Sequence, residues 1–219
     1  MPYSLPKYRT LNGDLRVWQR VLKRFALLFI LGMVVQGNIL ALDPDRIYIY
    51  SNTLQAIAVG YLLTVPLVLY LKPWQQLAAI IVLLMVYSIP LHLCGDWSSQ
   101  GNFACEVDKM LLGRFRDGSV LAADGTVLFA GWYDYTWIWS SLTFCCTVAL
   151  GSLAGHLTKN GNGNRVATAR SLFLAGVVLL LCGYVAGSAQ PIIKRIWSAS
   201  FVLYSAGWCY LMLALFYWW

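Results

Sequence analysis

Six apolar runs decide what this chain can be. Residues 21–40, 52–71, 75–93, 137–157, 171–189 and 199–219 are each long enough to cross about 30 Å of hydrocarbon at ~1.5 Å per residue of helix. Inside a bilayer every backbone N–H and C=O needs a partner from the protein itself, and a helix supplies them within one run. Hydrophobic residues make up 59% of the 219 and charged residues only 11%, against about a quarter charged in soluble domains. The sequence therefore predicts an all-α integral membrane protein, a single transmembrane domain over residues 1–219 with about six spans and membrane lipids around it. The formal charge of +7 does not point to nucleic acid, because the basic residues are scattered among apolar runs and make no continuous stripe. No cleavable signal peptide is read: the first 24 residues are polar and basic, without an apolar core before a small-residue cleavage site.

The charges orient the spans. With the amino terminus inside, the inner segments hold Lys7, Arg9, Arg16, Arg20, Lys23, Arg24, Lys72, Lys159, Arg165 and Arg170, ten of the sixteen basic residues. The outer segments hold Arg46, Lys109, Arg114, Arg116, Lys194 and Arg195 with eight of the nine acids. Basic residues collect on the cytoplasmic side, so both termini are expected there. The long outer loop, residues 94–135, has room for structure of its own. "ACEVDKMLLGRF" has helical spacing, and "RDGSVLAADGT" carries two Asp-Gly turn signals around a short apolar run, so a helix and a hairpin are expected. Gly151 with Gly155, and Gly183 with Gly187, have the spacing that lets helices approach closely.

Few groups could carry chemistry. Polar side chains are costly within spans and usually face a cavity or a neighbouring helix. Gln36 and Asn38 close the first span while Asn52 and Gln55 open the second, all at similar depth; they make either interhelical hydrogen bonds or a polar outer vestibule. Lys194 and Arg195 belong to the same level. Either they snorkel into head groups, or they form an anion or glycan site beside Trp197, whose ring can stack on a sugar. Cys94 and Cys105 fall in the outer loop, which faces an oxidising compartment, and a disulfide between them is expected. No metal site is read, since the chain has no CxxC and its two histidines, His92 and His156, sit near opposite faces.

Four stretches, taken in order, carry a resemblance: "LKRFALLFILGMVVQGNILALDPDRIYIYSNTLQAIAVGYLL", "NFACEVDKMLLGRFRDG", "YTWIWSSLTFCCTVALGSLAGHL" and "PIIKRIWSASFVLYSAG". Together they resemble the DUF5009 membrane proteins, bacterial relatives of the heparan-α-glucosaminide N-acetyltransferase family, over nearly the whole chain. The family's "PINKKLW" corresponds to Pro191 through Trp197, which matches Lys194 directly. Its "YIDRLLLG" corresponds to Glu106 through Gly113 and adds Asp108 to the candidate site. The family's "VLQR" reads Thr53, Leu54, Gln55, Ala56 here, without the basic residue. Neither histidine matches the family's catalytic one, which lies in two further spans ahead of this stretch, and the relatives continue past the equivalent of Trp219. The chain is therefore expected to be a middle section that is inactive by itself.

The resemblance implies a bacterial inner membrane, and in it an acyltransferase that moves acetyl from cytoplasmic acetyl-CoA, its donor substrate, to a glycan or amino sugar at the outer face. Two other classes stay open: a transporter or flippase for a lipid-linked or anionic solute, and an inactive remnant. A transporter would be favoured by acidic or basic residues at mid-membrane, and the runs hold none away from their ends. The sequence leaves a homo-oligomer open.

Overall fold

The structure, a computed structural model, describes residues 4–36, 40, 47–94, 96–98, 101–122, 124–161 and 163–219. Helix α1 (Ser4–Val35) is followed by α2 (Thr53–Tyr70) and α3 (Pro73–Leu93); α4 (Phe103–Leu112), a 3-10 turn (Gly113–Phe115) and a hairpin of β1 (Ser119–Leu121) and β2 (Val127–Phe129) fill the long loop. Helices α5 (Ser141–Asn160), α6 (Arg165–Ala189) and α7 (Ala199–Trp218) complete the bundle. The expected loop helix and hairpin are both present. The hairpin is antiparallel, with Val120 opposite Leu128, and the glycines of its Asp-Gly signals, Gly118 and Gly125, have φ of 78° and 82°, where a side chain would be strained.

Among the described residues five helices, α2, α3, α5, α6 and α7, are long and apolar enough to span a membrane, where the sequence reading has six. The difference lies in α1. Arg20, Lys23 and Arg24 leave residues 25–35 as its uninterrupted apolar part, about 16 Å of helix at ~1.5 Å per residue. Residues 37–39, which would extend it, lie outside the described residues. Gly13 bends α1 with φ 79° and ψ 167°, bridged by the Arg9–Asp14 ion pair. The bend lays Leu5 against Val17, Val21, Tyr61 and Val65.

The largest core forms where α3, α5 and α7 meet, around Ile80, Leu84, Tyr87, Cys146, Leu150 and Val202. Helix α5 is central. Thr64 donates to the Gly60 carbonyl (2.7 Å) and approaches that of Cys145 (3.1 Å), which joins α2 to α5, and the Tyr210 hydroxyl donates to the Leu150 carbonyl (2.6 Å), which joins α7 to α5. Such hydrogen bonds hold spans together where lipid is as apolar as the side chains. Helix α6 presents Phe173, Val178, Leu181 and Val185 outward, as a helix facing lipid does.

Close packing of α6 on α7 rests on glycine, though only partly on the pairs read from spacing. A Cβ on Gly183 would lie 2.5 Å from the Tyr204 nitrogen, and one on Gly207 2.7 Å from the Leu180 nitrogen. Gly151 packs against nothing within 4 Å. In detergent, Gly183→Ala is expected to cost about 1–3 kcal/mol through backbone displacement, read as a lower thermal midpoint. Gly151→Ala is expected to leave the midpoint unchanged or slightly higher, because alanine is the better helix former; equal effects of the two would refute the glycine contact.

Candidate functional site

The end of α1 and the start of α2, Asp117 and the stretch ahead of α5, and the loop between α6 and α7 meet at one end of the bundle. They enclose a cleft of about 520 Å³ there. Its walls come from Gln36 at the end of α1, Ser51 to Thr53 and Ala56 at the start of α2, Asp117, residues 132–137, Phe144, and Lys194, Arg195 and Trp197.

The segment carrying Lys194 and Arg195 is an irregular loop pinned from several sides. The Ile196 side chain is buried in the main core, and its carbonyl accepts from the Tyr87 hydroxyl of α3 (2.6 Å) and from Ser140 (2.9 Å) ahead of α5. Ser88 donates to Gln190 (2.9 Å), Ser200 to the Pro191 carbonyl (3.1 Å), and the Ile193 N–H to Ser198 (3.0 Å). These bonds hold Trp197 at φ 52°, a left-handed conformation that costs a non-glycine residue about 1–2 kcal/mol. Its indole N–H donates to Thr147 (3.0 Å), and its ring meets Phe144 and Phe201 edge-on. A strained residue held this firmly at a cleft is where function concentrates.

The polar contacts follow from that frame. Arg195 is ion-paired with Asp134, whereas Lys194 is exposed on the cleft with no side-chain partner among the described residues. On the other wall the Asn52 amide donates to Gln36 (3.1 Å), and the Gln36 amide donates to Asp117 (3.3 Å). Burial raises the Asp117 carboxyl above the ordinary range, against the lowering effect of the Gly118 N–H, the Arg116 charge, Gln36 and the Tyr133 hydroxyl. Arg116 is fully buried behind this wall, under the Tyr133 ring at 5.0 Å.

Of the residues expected at the site, Gln36, Asn52, Lys194, Arg195 and Trp197 share the cleft. Gln55 does not face it. Its carbonyl oxygen accepts the N–H groups of Ser51 (2.9 Å) and Asn52 (3.0 Å) and its amide donates to Ile49 (2.6 Å), so it caps α2. Asp108 is buried behind the wall, where its carboxylate accepts the N–H groups of Trp137 (2.7 Å) and Ile138 (2.8 Å) and fixes the lining segment. Asn38 lies outside the described residues. The expected disulfide is absent: Cys94 is exposed at the end of α3, while α4 turns Cys105 inward, its sulfur 3.5 Å from the Arg116 guanidinium, and both thiols are free.

Asp117, Asp134 and Tyr133 were not legible as site residues. Asp117 reads as a turn former in "RDG", and the acid opposite Arg195 stands sixty-one positions earlier in the chain.

Residues 9–98 match the family model described as heparan-alpha-glucosaminide N-acetyltransferase, catalytic. The match runs from α1 through α3, covers less than half of the chain, and includes the Gln36 and Asn52 wall of the cleft. No curated protein matches the chain. With its five apolar helices the protein is an integral membrane protein, similar over that first portion to a membrane acetyltransferase family.

Burial raises the Asp108 carboxyl to about 6 from its ordinary 3.8, even against two N–H donors and the Arg116 charge. A raised carboxyl binds its proton more tightly folded than unfolded, so this stability is present below about pH 4 and lost as pH rises through about 6. The loss is about 3 kcal/mol. Thermal midpoints in detergent should fall across this window for the wild type and lack that component in Asp108→Asn; identical profiles would refute the clamp as drawn.

Proposed function

We propose that this chain forms the acceptor side of a membrane acyltransferase that moves acetyl from cytoplasmic acetyl-CoA to a glycan or amino sugar at the outer face. The observation that carries this reading is the composition of the cleft. Sugars are recognised by hydrogen-bonding side chains together with aromatic faces, and this cleft combines Gln36, Asn52, Asp117 and Asp134 with Trp132, Tyr135, Trp137 and Trp197. The similarity of residues 9–98 to an acetyltransferase family supports the reaction class.

The sidedness follows from charge. The end away from the cleft carries Arg9, Arg20 and Arg24, stacked over Tyr70, Tyr8 and Tyr61 at 4.7, 4.5 and 5.1 Å, with Lys72, Lys159 and Arg170. The positive-inside rule favours that end as cytoplasmic and the cleft as outside, and the resemblance to bacterial relatives suggests an inner membrane. Acetyl-CoA is a substrate in this scheme and supplies a thioester acetyl group. Lys194 offers its ammonium to an acidic substituent of the acceptor, as a point charge on a pinned loop.

Membranes expressing the complete gene should transfer radiolabelled acetyl from acetyl-CoA to glucosamine, and membranes expressing residues 1–219 alone should not. In the complete protein, Lys194→Ala should raise KM for an anionic amino-sugar acceptor about tenfold, the equivalent of ~1.4 kcal/mol, with kcat little changed. Absence of acetyl transfer from both membranes would remove the reading.

A further inference from the structure

The cleft holds two carboxylates in different situations. Asp134 is committed to Arg195, and its side chain keeps 17% exposure. Asp117 has no ion pair among the described residues. The Gln36 amide donates to it at 3.3 Å, and the neighbouring Gly118 N–H, Arg116 charge and Tyr133 hydroxyl each lower its proton affinity. The Tyr133 oxygen accepts the Trp137 indole N–H at 2.8 Å, which fixes the phenol in the same wall as Asp117. One amide donor leaves most of a carboxylate's capacity of about four acceptor positions unused. Asp117 lines the cleft, within reach of what binds there.

The carboxylate is also fixed in place. Gly118 has φ 78°, and a Cβ there would lie 2.7 Å from that of Tyr133, so the Asp-Gly turn sits directly against the ring. Neither His92 nor His156 lines the cleft. Across it stands the exposed Lys194 ammonium, unpaired among the described residues, which repels a second cation and so directs a substrate ammonium toward the Asp117 wall.

We infer that Asp117 receives the ammonium group of the acceptor and takes its proton, so that the amine is unmasked in place. The first half of this role, ammonium recognition, stands on the cleft alone; the second rests on the acyl-transfer reading. In that step an N–H proton passes from the ammonium to the Asp117 carboxylate, which frees the nitrogen lone pair. The nitrogen attacks the thioester carbonyl carbon, the C–N bond forms, and the C–S bond breaks with its electron pair on sulfur. The thiolate takes the second proton from nitrogen, giving amide and thiol, and Asp117 returns its own proton to water. Partial burial of Asp117 raises its proton affinity and narrows the gap to the amine, which favours the transfer.

The test separates the two halves. Glucosamine and N-acetylglucosamine binding to the complete protein in detergent would be measured by calorimetry between pH 4 and 8, for wild type, Asp117→Asn and Asp117→Glu. Wild type should bind glucosamine at least tenfold more tightly than N-acetylglucosamine, and should lose that preference as pH falls through the Asp117 titration. Asp117→Asn should lose the preference at every pH, and Asp117→Glu should restore part of it, which excludes misfolding as the cause. Retention of the preference and of its pH dependence in Asp117→Asn would overturn the assignment, as would a wild type without any preference. Acetyl transfer distinguishes the outcomes further. A wild-type rate and pH profile in Asp117→Asn would refute proton transfer and spare the acyltransferase reading. No transfer by a wild type that shows the Asp117-dependent preference would refute the acyltransferase reading and spare the ammonium site.

Discussion

The Ile196 carbonyl, with hydroxyl protons from Tyr87 and Ser140, is the contact on which the outer half of the molecule depends. Irregular backbone near a membrane survives only where its polar groups find partners in protein or water. The segment from Gln190 to Ser198 cannot continue α6, because Pro191 lacks an N–H and disfavours helix in the residue before it. Its carbonyls and N–H groups are met instead by hydroxyls of Tyr87 on α3, Ser140 ahead of α5, Ser200 on α7 and its own Ser198. Because Ile196 is anchored in the core, its neighbours Lys194 and Arg195 are delivered to one place with one orientation. Trp197 keeps a left-handed backbone as part of the same arrangement.

The opposite wall uses a second anchor of the same type. Asp108 accepts two adjacent N–H groups, from Trp137 and Ile138, and so ties the loop helix to the segment entering α5. Charge-assisted hydrogen bonds of this sort are stronger than neutral ones, but here they do not fully offset the loss of hydration, and the carboxyl remains raised to about 6. Buried Arg116 lowers both Asp108 and Asp117, so one guanidinium serves the structural acid and the cleft acid together. The acetyltransferase reading joins this cleft to a family similarity confined to residues 9–98, and the charged cleft groups, Asp117, Asp134, Lys194 and Arg195, all lie beyond that stretch.

What the sequence determined by itself was whatever depends on local pattern. Five apolar runs became spans because length and hydropathy suffice for a helix in lipid, and the Asp-Gly pairs became turns because glycine alone adopts their φ freely. Gln36 and Asn52 were legible as partners, since polar groups of equal depth on adjacent spans meet. The span count depended on one local choice, whether the basic residues of α1 belong to its membrane-crossing part. Only the tertiary structure decided which way the remaining polar groups face. Gln55, one helical turn from Asn52, is spent on backbone caps, Asp108 stands behind the wall, and Cys105 turns inward away from Cys94. Asp117 reached the cleft from a segment that reads as a plain turn, and Asp134 met Arg195 across sixty-one positions. Residue spacing says which side chains share a face of one helix, whereas these contacts arise where three separate links fold over the same end of the bundle.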